Sequence, residues 1–430
     1  MSNSFSKEER VAFEDILEGF NDALVLSRNV SIYNTDGSMM ERTNNVIYRP
    51  QPYIAQSYDG MDQTGNFGAY TQLSVPATLG FQKSVPFILD ALELRDALQE
   101  GRLGEAAKQK LASDINIAIM NAAANLGSLV VTVNTAAGDY DDIALCDSIM
   151  NEQGVQAFDR YLALSSRDYN GIAGNIAGGT ALSGTASRSF AGNKSNNAFE
   201  RSYVGMVAGF ETYKLDYANR IAAATGSDPT MSTLASANNY YVPVATSTAV
   251  TGETANVDNR FQTITVSSTT DLPAGTAIEI EGVEAVHHIT KQGTGFSKTF
   301  RVVSVTNATT CVITPPIISA QGGTDAELQY QNRIVTAASG RTINRLNVDA
   351  APINCFWQKD ALEILPGRYA VPSDAGVAVM RASTDQGIEL VMQKQYDVNT
   401  MKTKYRLDTL FGVVNKQPEM SGILLFNQTP

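Results

Sequence analysis

Apolar positions recur at helical spacing near the start of the chain. Phe13, Ile16, Leu17, Phe20 and Leu24 share one face, while Glu14, Asp15, Glu18 and Asp22 line the other. The spacing predicts an amphipathic helix, opened by a capping box of Ser6 with Glu9. Its acidic face reads either as solvated surface or as a docking surface for a basic partner helix. From Val46 to Gln82, two extended arms, VIYRPQPYIAQ and TQLSVPATLGFQ, flank a polar tip, SYDGMDQTGNFGAY. Pro50, Pro52 and Pro76 forbid central-strand pairing, so this ribbon keeps free edges. A two-stranded ribbon is marginal alone and is expected to need something to lie against, such as another subunit.

The strongest helical period runs from Leu92 to Leu126, through Leu98, Leu103, Ala107, Leu111, Ile115, Ile119 and Ala122. At 1.5 Å per residue it predicts a helix of about 50 Å. Gly101 and Gly104 are expected to bend or interrupt it, and Gly127 to cap its end. Leu129 to Val133 then reads as a buried strand, Ile143 to Glu152 as helical or mixed, and Tyr161 to Ser165 as a short apolar strand. The run of small residues between Tyr169 and Asn197 reads as an exposed loop. It holds no G-x-x-x-x-G-K-[ST] and no ordered G-x-G-x-x-G, so a phosphate loop is rejected.

The pattern changes after Ala224. Up to Arg345 short β-rich runs (RFQTITVSS, AIEIEG, FRVVSVT, TCVITPP) alternate with turns such as DLPAG and QGTG. This predicts a small antiparallel barrel or sandwich, with inward candidates Phe261, Ile264, Val266, Ile278, Ile280, Phe300, Val302, Val303, Val312 and Ile313. After Asn354 the texture is mixed again, in CFWQKDALEIL and IELVMQKQYD, so the β-rich block reads as an insertion into an α/β parent.

Composition narrows the function. The 430 residues carry 32 Lys+Arg against 44 Asp+Glu, a net charge of −12. That excludes a sequence-specific nucleic-acid binder, which needs a basic face. Cys146, Cys311 and Cys355 are far apart, with no metal-knuckle or redox spacing, and point to a reducing compartment. The first residues lack the basic and apolar regions of a signal peptide, and no apolar stretch of membrane-spanning length is present. His287 and His288 are the only histidines; as strand neighbours they point to opposite faces and cannot clasp one metal. Trp357, between Phe356 and Gln358, reads as core. No nucleophile is paired with a base, so no catalysis, cofactor or metal is expected.

The order of helix, ribbon, long helix, mixed body and inserted β block resembles the major coat proteins of tailed bacteriophages. It is most similar to those of short-tailed phages of the Salmonella and enteric type, which carry an inserted β-barrel. The stretches AANLGSLVVT, VGMVAGFETY, NVDNRFQTITVSSTTDLPAGTAIEIEGV and INCFWQKDALEIL carry the likeness. It implies an α+β fold of the tailed-phage and herpesvirus capsid-shell type. By that likeness residues 1–45 are an N-terminal arm, 46–82 an extended loop and 83–150 a peripheral domain with the spine helix. Residues 151–224 begin an axial domain, 225–345 are the inserted antiparallel β-barrel, and 346–430 complete the axial and peripheral domains. The resemblance also implies self-assembly as hexamers and pentamers, with a scaffolding protein, a portal protein and double-stranded DNA touched non-specifically, and no membrane. The place expected is the virion capsid, assembled in the host bacterial cytoplasm. Glu14, Asp15 and Glu18 become candidates for scaffold contact. Tyr241, Val242, Thr251 and Glu253 become candidates for a loop reaching the neighbouring capsomer. Two other readings stand beside this one: a phage tail or surface adhesin with a β-sandwich recognition module, and a shell cross-linked through Lys–Asn isopeptide bonds at Lys83.

Overall fold

A computed structural model describes residues 7–33, 46–90, 97–177, 197–231, 240–334, 340–371 and 376–429, apart from positions 53, 56, 58, 66, 139, 199 and 321. The chain forms two compact units: residues 1–47, 76–120 and 362–414, and residues 48–75, 121–361 and 415–430.

In the first unit, helix α1 (Lys7–Ala23) buries Phe13, Ile16 and Phe20 and leaves Glu14, Asp15, Glu18 and Asp22 exposed, as its period predicts. The capping-box residue Ser6 lies outside the described residues. Glu9 is buried, with its carboxylate accepting from Tyr405 Oη at 3.1 Å and paired with Lys394. The long helix α2 (Ala97–Leu126) runs unbroken through Gly101 and Gly104, and residues 91–96 lie outside the described set. The helix is therefore not interrupted at either glycine. Gly104 has a different use: a Cβ there would lie 2.5 Å from Ile16 Cδ1, so the missing side chain lets α1 approach. Leu111, Ile115 and Ile119 are fully buried along the stripe the period marks. The unit's sheet orders β1 (Ser31–Ile32), β19 (Leu362–Pro366), β22 (Lys402–Asn415), β21 (Glu389–Asp397) and β20 (Ala378–Ser383). The strand β4 (Phe81–Asp90) also pairs antiparallel with β22, from Lys402 opposite Asp90 to Phe411 opposite Phe81. Between the units in sequence, β2 (Val46–Pro50) and β3 (Ser74–Thr78) make the two-stranded ribbon read from the prolines.

The second unit is built on a six-stranded mixed sheet, β5 (Leu129–Thr132), β23 (Ser421–Leu425), β18 (Asn354–Gln358), β6 (Arg160–Ser165), β8 (Phe210–Leu215) and β7 (Met206–Val207). Helices α3 (Tyr140–Glu152) and α4 (Ser166–Ala177) pack on it around a core that includes Leu162, Phe210, Phe356 and Leu424. Trp357 is fully buried, as expected, with its ring 6.2 Å from that of Tyr161. The helix α4 corrects the loop expected between Tyr169 and Asn197, of which residues 178–196 lie outside the described set. It forms because Ser165 accepts from Asp168 N at 3.2 Å, a start signal, and because Tyr169, Ile172 and Ala173 share a buried face.

The β-rich block leaves and re-enters this body at one place. The short strand β9 (Arg220–Ile221) pairs antiparallel with β17 (Ala351–Pro352), and Ala224 N donates to Asn347 O at 2.7 Å. The block's sheet is antiparallel in the order β12 (Gln262–Thr265), β15 (Thr310–Thr314), β14 (Gly293–Asn307), β13 (Ala277–Val286) and β16 (Ile343–Arg345). Both of its edges are bridged by one segment: Met231 pairs with Val266 and Thr230 with Thr342. Ile264, Val266, Ile278, Ile280, Phe300, Val302 and Ile313 fill the interior. Phe261, Val303 and Val312 do not join them and are only half-buried; Phe261 instead carries the Arg260 guanidinium 5.1 Å from its ring centre.

Gly127 ends α2 where a cap is expected, yet its reason is close packing. A Cβ on it would lie 2.6 Å from Ala123 O and 3.1 Å from Gly422 Cα, both unable to move without the backbone. Gly127→Ala is therefore expected to destabilise the chain by about 1–3 kcal/mol, the usual range for forced overpacking. Thermal melting of the variant against wild type checks it.

Candidate functional site

The most exposed regular structure among the described residues is a hairpin, β10 (Thr246–Thr248) and β11 (Thr254–Asn256), with every strand residue exposed. Its tip turns at Gly252, φ +88°, and Val250 is fully exposed there. Of the four loop candidates, Thr251 and Glu253 sit on this exposed tip. Tyr241 and Val242 are half-buried at the stem instead. Tyr241 N donates to Ile317 O at 2.6 Å and its Oη to Asn259 Oδ1 at 3.1 Å.

Asn259 clamps that stem. Its Oδ1 also accepts from Val244 N at 3.1 Å, and its Nδ2 donates to Val244 O at 2.8 Å and Val257 O at 3.0 Å. The next residue, Arg260, is buried, pairs with Asp258 at 2.6 Å and donates to Asn415 O at 2.7 Å. The NVDNRF stretch thus sets the hairpin on one side and the body on the other. Sequence reasoning found the stretch but not these roles, since an amide clamp leaves no periodic trace.

The extended loop has partial support from its own chain. Leu73 packs with Ile318 and Tyr330, and Thr71 N donates to Gln329 Oε1 at 2.9 Å, on the short helix α5 (Asp325–Tyr330). The support that the ribbon needs thus comes in part from its own chain, while its outer part is exposed. There Met61 is 105% exposed and Phe67 89%. Lys83 lies half-buried on β4, opposite Thr409.

A buried charge cluster joins the β-rich block to the body. Glu419, on the turn before β23, has Oε1 2.5 Å from Lys298 Nζ and 3.0 Å from Asn332 Nδ2, and Oε2 3.2 Å from His288 Nε2. Beside it Thr299 Oγ1 donates to Ser128 O at 2.7 Å. Burial pushes the Glu419 carboxyl up, but the His288 and Lys298 charges and their hydrogen bonds outweigh it and hold the group well below the usual carboxylate range. His287 and His288 are therefore not strand neighbours: they follow β13 in a turn, where His288 N donates to Gln153 O at 3.2 Å. Among the described residues no group of three or more His, Cys, Asp or Glu side chains could hold a metal, and no helix is long and apolar enough to cross a membrane.

A family model described as "P22 coat protein - gene protein 5" matches residues 1–427. Among solved structures, "Capsid structure of the Cyanophage P-SCSP1u" matches 93% of this chain and 87% of its own, at 10% identity and a TM-score of 0.44. The mature capsid of bacteriophage PhiM1 matches 94% of this chain and 86% of its own, at 10% identity and a TM-score of 0.44. The "CUS-3 coat protein I-domain" is 33% identical over 29% of this chain and 99% of its own, with a TM-score of 0.23.

Two outcomes are expected. Asn259→Ala strands the Val244 amide and carbonyl and should cost about 1–3 kcal/mol in thermal melting, with earlier proteolytic cleavage inside residues 246–256. Glu419→Gln leaves Lys298 buried without its counter-charge and should cost about 3 kcal/mol at neutral pH. The sign with pH follows from the depressed carboxyl. Its stabilisation is complete above the ordinary glutamate value of 4.5 and is lost as pH falls toward the lower folded value. Acid titration of stability should thus be flatter in Glu419→Gln than in wild type.

Proposed function

Because the chain belongs to the P22 coat protein family, it is the major capsid protein of a tailed bacteriophage and forms its icosahedral shell, and we propose the finer roles that its surfaces serve. The observation that carries the reading is a family match spanning residues 1–427 of the 430-residue chain. The phage is of the short-tailed Salmonella and enteric type, and the subunit assembles in the host cytoplasm with a scaffolding protein, around a portal protein. The chain acts without a catalytic step. Negative-stain microscopy of the expressed chain, with and without scaffolding protein, tests this reading: closed shells are expected, and a soluble glycan-binding trimer would overturn it.

The exposed surfaces suit these roles. Residues 225–345 act as an inserted module whose hairpin tip, at Thr251 and Glu253, bridges neighbouring capsomers. The outer part of the extended loop, with Met61 and Phe67 exposed, lies over the neighbouring subunit. The exposed Glu14, Asp15 and Glu18 face of α1 receives a basic scaffolding helix. A net charge of −12 lets packaged DNA be enclosed without being gripped.

Deleting residues 249–253 should leave subunit melting within about 0.5 kcal/mol of wild type, because all five are exposed, yet impair shell closure in negative stain. Asp15→Lys with Glu18→Lys should weaken scaffold binding several-fold at low salt and much less at high salt, since exposed ion pairs are weak and screened. Unchanged scaffold binding at low salt would remove α1 from the scaffold interface.

A further inference from the structure

A cleft of about 580 Å³ opens in the second unit where the two ends of the β-rich block meet the body. Its walls come from the segment around β9, the turn Pro273–Thr276 and the end of α2. Two arginines line it, Arg301 and Arg220, together with Asn125, Asn219 and Asn347. No Asp or Glu is among the described residues that line it, although the chain as a whole carries a net charge of −12.

Arg301 is the unusual member. It is 1% exposed, and its Nη2 donates to Gly275 O at 2.8 Å on the cleft wall. Its Nε and Nη1 are buried and have no hydrogen-bond partner among the described residues. Burial pushes its pKa down to about 10, so it is still cationic at neutral pH. The thiol of Cys355 is the titratable group that feels it. Burial pushes that thiol up to about 12 against the pull of Arg301, so it supplies no negative charge. A buried cation without a counter-ion is strongly unfavourable, and a guanidinium fork matches the geometry of a bidentate oxyanion. Arg220, at the exposed side, supplies a second positive charge within the same walls.

We propose that this cleft is an oxyanion-binding site, taking a phosphate or carboxylate group between Arg301 and Arg220. The occupant stabilises the junction of the β-rich block with the body, because an anion that binds only the folded chain raises its stability by mass action.

The test uses full-length subunits titrated with inorganic pyrophosphate, with chloride holding ionic strength constant. Saturable binding of one anion per subunit and a rise in melting temperature are expected. Arg301→Gln should weaken binding about tenfold or more, as loss of a charged hydrogen-bond donor does. Because Arg301 is buried and its variant can misfold, two exposed positions carry the decision. Arg220→Ala should weaken binding by up to about fivefold. Ala274→Asp, on the exposed turn of the cleft, should abolish it and raise melting in anion-free buffer by supplying a tethered carboxylate. No saturable binding to wild type, or binding that neither Arg220→Ala nor Ala274→Asp alters, overturns the proposal. Assembled shells separate the two sources of the group. If shells bind as free subunits do, the occupant is a free anion; if shells have lost the capacity while subunits keep it, a neighbouring chain's carboxylate fills the site.

Discussion

One buried carboxylate, Glu419, holds together parts of the second unit that are far apart in sequence. It sits on the turn before β23 and meets Lys298 from β14, His288 from the turn after β13, and Asn332 beyond α5. The same turn receives Ser128 from the end of α2, whose N and Oγ both donate to Pro418 O, at 3.1 and 2.9 Å. Ser128 O in turn accepts from Thr299, the residue after Lys298. A buried ion pair contributes little net stability over an apolar core of the same shape, because both charges lose water. Its effect is on geometry: a lysine buried this deeply is tolerated only with its acceptor in place. Any other docking of the block leaves a charge stranded.

Much of the architecture was legible because it rests on periodicity. The stripe Phe13, Ile16 and Phe20 and the stripe Leu111, Ile115 and Ile119 are buried where helical spacing puts them. Alternation in Ile264 and Val266, and in Ile278 and Ile280, marks the inner face of the block. Val303 and Val312 stay half-buried by the same rule: each is the strand neighbour of an inward residue, Val302 and Ile313, and successive residues point to opposite faces. The Glu419 cluster was not legible at all. Its members are separated by as many as 131 positions, and nothing local tells a buried glutamate from a solvated one. The helix α4 could have been read: Ser165 and Asp168 form a start signal, masked by the small residues that follow.

Glycines misled for a related reason. Gly104 looks like a helix breaker because a lone glycine weakens a helix by about 1 kcal/mol. In place it removes a side chain that would meet Ile16, and the stripe on either side keeps the helix continuous. Gly127 and Gly422 do the same for two backbones that nearly touch. A glycine's backbone freedom is visible in sequence, whereas its use as a space is visible only once the neighbour is known.

The division between a firmly locked interior and sparsely supported tips fits what a shell asks of its subunit. Inside, buried pairs such as Glu419 with Lys298 are costly to break one partner at a time. Outside, the hairpin tip at Val250 and the loop end at Met61 and Phe67 offer only a few apolar side chains each. In the role proposed for these tips, contacts that small are weak singly, so a misplaced subunit can leave before the lattice closes around it. Once several are engaged together, each further contact forms at the high effective concentration set by the others. Closed symmetry then supplies stability that no single interface holds. A subunit with tightly binding tips would trap errors, and one with a loosely docked inserted block would present its hairpin at no fixed angle. The stiffness therefore belongs at the stem, where Asn259 and Arg260 sit, and the weakness at the tip.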